Sequence, residues 1–212
     1  MTGMIQTDQI RVLIVEDHPL MRLGVASMIG SQQDMVVVAE SGSGEQALEL
    51  YPVQHPDVVV VDLGLPKMGG VAVIRALRLL NSEVKIVVLT TYEGDEDIYQ
   101  ALAAGAHAYV IKGLPPNVLI DAIRRVRRGA DYVPPALKHK LDAHNASEKL
   151  SAQELRVLKM ISEGRGNRDI GDELGVTEAT IKYHVSEILA RLGANDRTEA
   201  VVIALRRGFL HL

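Results

Sequence analysis

The chain has 212 residues, no cysteine, no tryptophan and a formal net charge of −4. Its 47% hydrophobic and 24% charged residues are typical of globular domains, which excludes global disorder, and the length allows one large domain or two small ones. The lack of cysteine excludes disulfides, thiolate catalysis and zinc fingers. No apolar run approaches the ~18 residues of a membrane span, and the first residues lack a signal-peptide pattern. We therefore expect a cytoplasmic protein that does not contact a membrane.

Residues 1–130 alternate short apolar runs, mostly β-branched, with helical patterns. Strands buried on both faces of a parallel sheet have this composition. The predicted strands are Ile10–Val15, Met35–Ala39, Val58–Val61, Val84–Thr90 and Ala106–Ile111. The predicted helices lie near residues 19–30, 44–53, 70–80, 95–104 and 116–128. Five strand–helix units predict a five-stranded, doubly wound parallel α/β sheet, whose functional residues lie at the carboxyl ends of the strands.

The pattern changes after residue 130. We interpret residues 131–149 as a linker. Tyr132-Val-Pro-Pro-Ala136 leads into a short helix near 135–142, and residues 143–149 are polar without an apolar period. Residues 150–212 have no strand signal and predict a small all-α domain. Its first helix begins at a capping box formed by Ser151 and Glu154. The other predicted helices are Asn167–Leu174, a helix that Thr177 caps and that ends near Leu192, and a helix over about 197–207. The middle two, joined by a turn, have helix-turn-helix spacing.

Carboxylates follow two of the predicted strands. Glu16 and Asp17 come directly after the first strand, and Asp62 comes directly after the third. These strand ends are neighbours in a doubly wound sheet, so the like charges need a cation, and an oxygen-rich site suits Mg²⁺. Three solvated acids are the competing interpretation. Lys112 after the fifth strand and Thr90 at the end of the fourth add a cation and a hydroxyl at the same edge, which favours a phosphoryl site.

Residues 10–128 resemble the receiver domain of two-component response regulators. The matching motifs are Val15-Glu-Asp-His-Pro19, Val61-Asp-Leu-Gly-Leu-Pro66 with Gly69-Gly70, Val88-Leu-Thr90 and Tyr109-Val-Ile-Lys112. The resemblance implies a flavodoxin-like (CheY-like) fold in which Asp62 accepts a phosphoryl group from a sensor histidine kinase. It further implies that Asp17 binds Mg²⁺ directly, Glu16 binds it through water, and the backbone carbonyl of Gly64 is another ligand.

By the same resemblance, Lys112 holds a phosphate oxygen, and Thr90 and Tyr109 form the switch pair. The departures from the family pattern are Leu65 where Met is commoner, Gly113 where Pro or Asp usually follows the lysine, Gly64 without a side chain near the attacking water, and the bulky Tyr92. Gly113 therefore puts the geometry of its loop in question.

For the C-terminal helices, spacing alone leaves an ordinary helical hairpin open, because residues 151–212 carry nine Lys and Arg and nine Asp and Glu and so lack a basic surface. Sequence detail favours DNA binding, since residues 150–212 resemble the LuxR-type helix-turn-helix of the NarL/FixJ response regulators. The matching residues are Leu150-Ser-x-x-Glu154, Val157-Leu158, Gly164, Asn167-Arg-Asp-Ile170, Leu174-Gly-Val-Thr177, Thr180-Ile-Lys-Tyr-His184, Ile188, Leu192 and Arg197-Thr-Glu-Ala-Val201.

This second resemblance implies that Lys182 contacts DNA and that Tyr183 and Ser186 tune sequence choice. Arg168 is expected to contact phosphate, and Thr180 lies near the helix N-terminus on the same exposed side. The departures are Gln153 for Arg, Glu187 for Asn and Gly171 for Ala. The charge of Glu187 predicts weaker DNA affinity or contact with a cytosine amine.

Together these features predict a phosphorylation-controlled transcriptional regulator that dimerises when phosphorylated and binds inverted half-sites of double-stranded DNA. Its only expected chemistry is Mg²⁺-dependent self-phosphorylation and autodephosphorylation of Asp62, so we do not expect an enzyme. One alternative is a phosphatase like the haloacid dehalogenases, but these carry a second Asp where this chain has Gly64. Another is a receiver-plus-helix protein that binds only a protein partner.

Overall fold

The computed structural model describes residues 9–134, 137–138 and 150–211. The chain divides into two compact units, one α/β and one helical, which are described separately below. Of the predicted short helix near 135–142, the described residues are 137–138, which are helical; most of the predicted linker 131–149 lies outside the described residues. The exact domain boundaries at 130 and 150 therefore stay predictions.

The α/β unit contains the predicted five-stranded parallel sheet, in the order β2-β1-β3-β4-β5. The strands are β1 (Ile10–Val15), β2 (Met35–Ser41), β3 (Val58–Val61), β4 (Lys85–Thr90) and β5 (Ala108–Ile111). β2 is two residues longer than predicted, because Ser41 still pairs with Val15, whereas β4 and β5 begin later than predicted. The order confirms the doubly wound topology and brings the carboxyl ends of β1, β3, β4 and β5 to one edge.

Helices cover both faces of this sheet. They are α1 (Pro19–Gly30), α2 (Gly44–Gln54), α3 (Gly70–Leu80), α4 (Asp95–Ala103) and α5 (Pro116–Arg127). Buried side chains of α1 and α5 pack against alternate strand residues such as Val12 and Val60. The intervening residues, such as Leu13 and Val59, are also fully buried, and α2 and α3, which contact each other, supply the second layer.

The helical unit consists of α6 (Ala152–Ser162), α7 (Asn167–Leu174), α8 (Glu178–Leu192) and α9 (Arg197–Arg207). The predicted capping box is present, since Ser151 Oγ accepts from Glu154 N at 3.3 Å and Ser151 N donates to Glu154 Oε2 at 2.7 Å. Gly175 ends α7 in the left-handed conformation at φ 68°, and Thr177 caps α8 as predicted. No described helix is both long and apolar enough to span a membrane.

The turn between α7 and α8 is tight. A Cβ on Gly171 would lie only 2.8 Å from the carbonyl oxygen of Val176, whose N–H donates to Gly171 O at 2.9 Å. Because this distance is shorter than normal contact, the missing side chain lets the turn pack directly on α7. The departure from Ala at this position therefore has a structural cause.

Candidate functional site

A buried cation joins two carboxylates at the carboxyl edge of the sheet. Lys112 Nζ, after β5, lies 2.8 Å from Asp62 Oδ2, after β3, and 2.7 Å from Glu16 Oε2, after β1. The three side chains are only 8%, 6% and 3% exposed. Burial acts to lower the pKa of Lys112, but the hydrogen bonds to Asp62 and Glu16 outweigh it and raise that pKa above the usual 10.5. The ammonium therefore stays charged at neutral pH.

Asp17 completes the acidic edge. Its Oδ1 is buried without a hydrogen-bond partner, and the nearby His18 Nδ1, at 3.0 Å, does not have the geometry of a hydrogen bond. Oxygens of Glu16, Asp17 and Asp62, with a nitrogen of His18, lie within 4.8 Å of one another. An orphaned buried carboxylate oxygen beside two further carboxylates fits a hard divalent cation.

The predicted switch residues lie beside this cluster. Thr90 and Tyr109 are both fully buried. Thr90 Oγ1 accepts from the backbone N–H of Tyr92 at 3.3 Å, and the Tyr109 hydroxyl donates to the carbonyl oxygen of Tyr92 at 3.0 Å. The backbone of Tyr92 thus joins the two. This link could not be inferred from the residue types, because any residue can supply backbone groups.

A cavity of about 400 Å³ opens beside Asp62. It is lined by His18, Leu20, Met21, Asp62, Gly64, Thr91, Tyr92 and Lys112. A Cβ on Gly64 would lie 3.3 Å from Tyr92 Oη and 3.6 Å from Asp62 Oδ2. The phenol of Tyr92 therefore occupies space that a side chain at residue 64 would take. The apolar wall that α1 supplies is a second feature that the sequence patterns did not reveal.

Gly70, in the predicted glycine pair, packs directly on the loop of Asp62 and Leu63 that follows β3. A Cβ there would come within 2.1 Å of Asp62 O, and Gly70 N donates to Leu63 O at 3.0 Å. Only glycine permits this approach of backbone to backbone. The first turn of α3 is therefore held against the residue that follows β3.

The helical unit gathers most of its predicted DNA contacts on one surface. Arg168 is exposed on α7, and Lys182, Tyr183 and Ser186 are exposed on α8. Lys182 Nζ lies 2.8 Å from Glu178 Oε1. The hydrogen bond and charge of Lys182, and to a smaller extent the charge of Arg168, hold the pKa of Glu178 below its usual value. Both cations therefore lie near the same carboxylate, at the N-terminal end of α8.

Thr180 and Glu187 differ from the other predicted DNA-facing residues. Thr180 is half-buried, its N–H donates to Thr177 Oγ1 at 3.1 Å, and the two hydroxyl oxygens lie 2.8 Å apart. Its hydroxyl is therefore part of the helix cap. Glu187 Oε2 lies 3.8 Å from Arg191 Nη2, so a neighbouring cation offsets part of the negative charge that the sequence placed near DNA.

Comparisons with known proteins cover both units. Residues 12–124 match the response regulator receiver domain, and residues 148–204 match the bacterial regulatory proteins of the luxR family. The chain is 36% identical to the transcriptional regulatory protein YxjL of Bacillus subtilis, over 96% of this chain and 98% of that protein. It is 35% identical to the transcriptional regulatory protein LiaR of the same organism, over 93% and 97%.

A solved structure agrees with these matches. The response regulator ChrA of a heme-sensing two-component system superimposes with a TM-score of 0.57 and 32% identity, over 95% of this chain and 99% of that one. Two family matches, two full-length relatives and one full-length structure therefore point the same way. The chain belongs to the two-component response regulators that carry a receiver domain followed by a LuxR-type helix-turn-helix domain.

Proposed function

We propose that this transcriptional regulator is controlled by transfer of a phosphoryl group from a sensor histidine kinase to Asp62. The observation that carries the proposal is the buried ammonium of Lys112, which lies 2.8 Å from Asp62 beside the orphaned oxygen of Asp17. Two buried carboxylates and a fixed cation are costly to hold together for stability alone. Such an arrangement is suited to the extra negative charge of a phosphoryl group.

In the transfer, a carboxylate oxygen of Asp62 attacks the phosphorus, and the phosphorus–nitrogen bond of the kinase phosphohistidine breaks. Lys112 is placed to exchange part of its contact with Asp62 for a phosphoryl oxygen. Asp17, Glu16, Asp62 and the Gly64 carbonyl would hold Mg²⁺, which supplies charge neutralisation for the phosphoryl oxygens. The attacking atom is a carboxylate oxygen of Asp62 itself, so no other side chain is needed as the nucleophile.

The surface beside the cavity supports docking of a protein donor. Leu20 and Leu23 on α1 are 85% and 65% exposed, and Met21 lines the cavity together with Leu20. Exposed apolar side chains grouped at the mouth of a polar site are typical of an interaction surface. We assign this face of α1 to the kinase.

Phosphorylation then acts on DNA binding through Thr90 and Tyr109. The new phosphoryl oxygens lie near the Thr90 hydroxyl, and a change there reaches Tyr109 through the backbone they share at Tyr92. The helical unit is electrically balanced, so one copy offers few phosphate contacts. Binding of a phosphorylated homodimer to inverted half-sites of double-stranded DNA doubles those contacts. A cytoplasmic location supports both parts of this proposal, since a kinase donor and genomic DNA would both be accessible there.

The transfer is tested by intact-mass measurement after incubation with acetyl phosphate, with and without Mg²⁺. We expect one phosphoryl group on the wild type and none on Asp62→Asn, because the acceptor oxygen is removed. Asp17→Asn should lose the Mg²⁺ dependence along with most of the labelling. Thr90→Ala should label like the wild type but fail to raise DNA affinity.

Two outcomes would overturn the proposal. Equal labelling of wild type and Asp62→Asn would place the acceptor elsewhere. A labelled wild type that retains no fragment from a genomic DNA library would leave a regulator that binds only protein partners.

A further inference from the structure

Glu16, the first residue after β1, has a partner for each of its polar groups. Its backbone N–H donates to Ser41 O at 3.0 Å. Its two carboxylate oxygens contact Lys112 Nζ at 2.7 Å and the backbone N–H of His18 at 3.2 Å. Its carbonyl oxygen accepts from Arg22 Nη1 at 2.6 Å. The guanidinium on α1 therefore holds the one group of Glu16 that belongs to the peptide bond with the next residue.

Arg22 is itself held in place from several sides. It lies near the start of α1, where its N–H donates to His18 O at 3.0 Å. Its Nε lies 3.7 Å from Glu40 Oε2 on β2, and its side chain is only 23% exposed. Gly42 follows β2, and a Cβ there would lie 3.4 Å from Arg22 Nη1, so the guanidinium packs against this loop. α1, β2 and the loop after β2 together keep it at the carbonyl oxygen.

We propose that Arg22 is a positioning residue that fixes the peptide bond between Glu16 and Asp17 and thereby sets the affinity of the acidic cluster for Mg²⁺. The acidic cluster is Glu16, Asp17 and Asp62. The inference rests on the proposed function, since the ion serves phosphoryl transfer to Asp62. It goes further, because it assigns the orientation of Asp17 to a guanidinium that is not one of the proposed ligands.

The positioning role follows from the planarity of the peptide bond. The carbonyl group of Glu16 and the N and Cα atoms of Asp17 lie in one plane, so a hydrogen bond that holds the oxygen also fixes the direction in which the chain reaches Asp17. The donor is charged, and such hydrogen bonds are stronger than neutral ones. Among the described residues Asp17 Oδ1 is buried without a hydrogen-bond partner. The orientation of that oxygen therefore depends on the backbone that carries it.

The positive charge of Arg22 would by itself have the opposite effect on Mg²⁺. A cation close to a cation site repels the ion and lowers its affinity. Glu40, at 3.7 Å, offsets part of this repulsion. Loss of the hydrogen bond should therefore weaken Mg²⁺ binding, whereas loss of the charge should strengthen it. The sign of the change distinguishes positioning from electrostatics.

The first experiment titrates the full chain with Mg²⁺ and follows backbone NMR signals to obtain the dissociation constant. Arg22→Met keeps the aliphatic part of the side chain but removes its charge and its donors. We expect it to raise the dissociation constant roughly tenfold, as for other residues that orient metal ligands. Arg22→Lys keeps the charge and a donor group and should raise it less. Arg128→Met, the control, removes the same charge at an exposed position that ends α5 and should match the wild type.

The results separate the two levels of the argument. If the wild type binds no Mg²⁺, or binds it no better than Asp17→Asn does, the Mg²⁺ site of the proposed function is wrong and this inference is wrong with it. If the wild type binds Mg²⁺ through Asp17 but Arg22→Met binds it equally well or more tightly, this inference alone is wrong.

The second experiment measures the rate of labelling by acetyl phosphate over a range of Mg²⁺ concentrations. Arg22→Met should need roughly tenfold more Mg²⁺ to reach half of its maximal rate, and its maximal rate should equal that of the wild type, because the ligands themselves are unchanged. A purely structural role for Arg22 would lower stability and leave the Mg²⁺ dependence as it is, which would overturn the inference. A lower maximal rate with the same Mg²⁺ dependence would place Arg22 in the transfer step and overturn its positioning role.

Discussion

At the scale of single residues, a side chain can make tertiary contacts beyond the local role that its sequence position predicts. Glu154 is a helix-capping residue by sequence, yet it is 3% exposed and its Oε1 also lies 3.3 Å from Arg191 Nε on α8. Burial acts to raise its pKa, but the hydrogen bonds from Ser151 and the charge of Arg191 hold that pKa below the usual 4.5. One carboxylate therefore fixes the start of α6 and connects it to α8, the helix that carries most of the predicted DNA contacts.

This carboxylate gives the helical unit a pH dependence of known sign. Because the folded-state pKa of Glu154 is depressed, its charge stabilises the fold at pH above 4.5, and this contribution is lost as pH falls through the folded-state pKa. We expect Glu154→Gln to lower local stability by ~1 kcal/mol at neutral pH, as for a lost cap. Amide hydrogen exchange of α6 in the full chain measures it.

Glu163→Gln is the matched control for that prediction. Glu163 is at the other end of α6 and pairs with Arg165 at the surface, where both side chains are well exposed, so its loss should change little. If the loss of local stability of α6 in Glu154→Gln is the same at neutral pH and at about pH 3, the charge of Glu154 does not stabilise the fold.

At the scale of elements, two glycines inside helices have different surroundings. Gly24 lies in the interior of α1, and a Cβ there would have no heavy atom within 4 Å. Gly171 lies in α7, where a Cβ would meet Val176 O at 2.8 Å. Helix propensity favours alanine at both positions, so only the tertiary contact distinguishes them.

We therefore expect opposite effects on the free energy of unfolding. Gly24→Ala should stabilise the α/β unit by ~0.5–1 kcal/mol through helix propensity. Gly171→Ala should destabilise the helical unit by ~1–3 kcal/mol, because the new methyl group forces the turn away from α7. Urea unfolding of the full chain, followed by backbone NMR signals of each unit, gives both values. If both substitutions change the free energy of unfolding in the same direction, the turn between α7 and α8 accommodates the added methyl group without loss of stability.

These contrasts show which features the sequence could predict. Buried parallel strands are continuous β-branched runs, and helix caps are local, so the five strands, the Ser151 capping box and the Thr177 cap were all predicted and are confirmed. The contact between Lys112 and Asp62 was predicted from the strand order, because both residues follow strands that end at the same edge. The tight approach at Gly70 and the joining of Thr90 to Tyr109 through Tyr92 could not be predicted. They depend on backbone groups that every residue carries, brought together only by tertiary packing.

At the scale of the whole molecule, we expect the charge balance of the helical unit to make DNA affinity depend on the number of copies that bind one site. Each phosphate contact contributes about 0.9 to the slope of log affinity against log salt. We expect phosphorylated full-length protein to show roughly twice the slope of unphosphorylated protein on one palindromic site, because two half-sites are then engaged. Fluorescence anisotropy at several salt concentrations measures the slopes. Equal slopes would contradict binding as a phosphorylation-dependent dimer.

Lys182→Ala is the variant that tests the DNA-facing surface in the same assay. Its ion pair with Glu178 is at the surface, with side chains 65% and 47% exposed, so the ammonium can leave the carboxylate for a DNA phosphate. The slope should fall by about one per subunit. Lys159→Ala removes the same charge from an exposed position on α6 and should leave the slope unchanged. Equal losses in both would show that charge alone, and not this surface, governs binding.

The contact between Gly70 and Asp62 at the start of α3 restricts movement of the loop that carries Asp62 on the side that faces α3, but not on the opposite side. Main-chain atoms of Gly70 and Asp62 meet with no side chain between them, so the loop cannot move toward α3 without collision. The opposite side is bounded by the cavity and by the hydrogen bonds at Tyr92. We therefore expect a phosphoryl group on Asp62 to displace this loop away from α3, on the side where β4 ends.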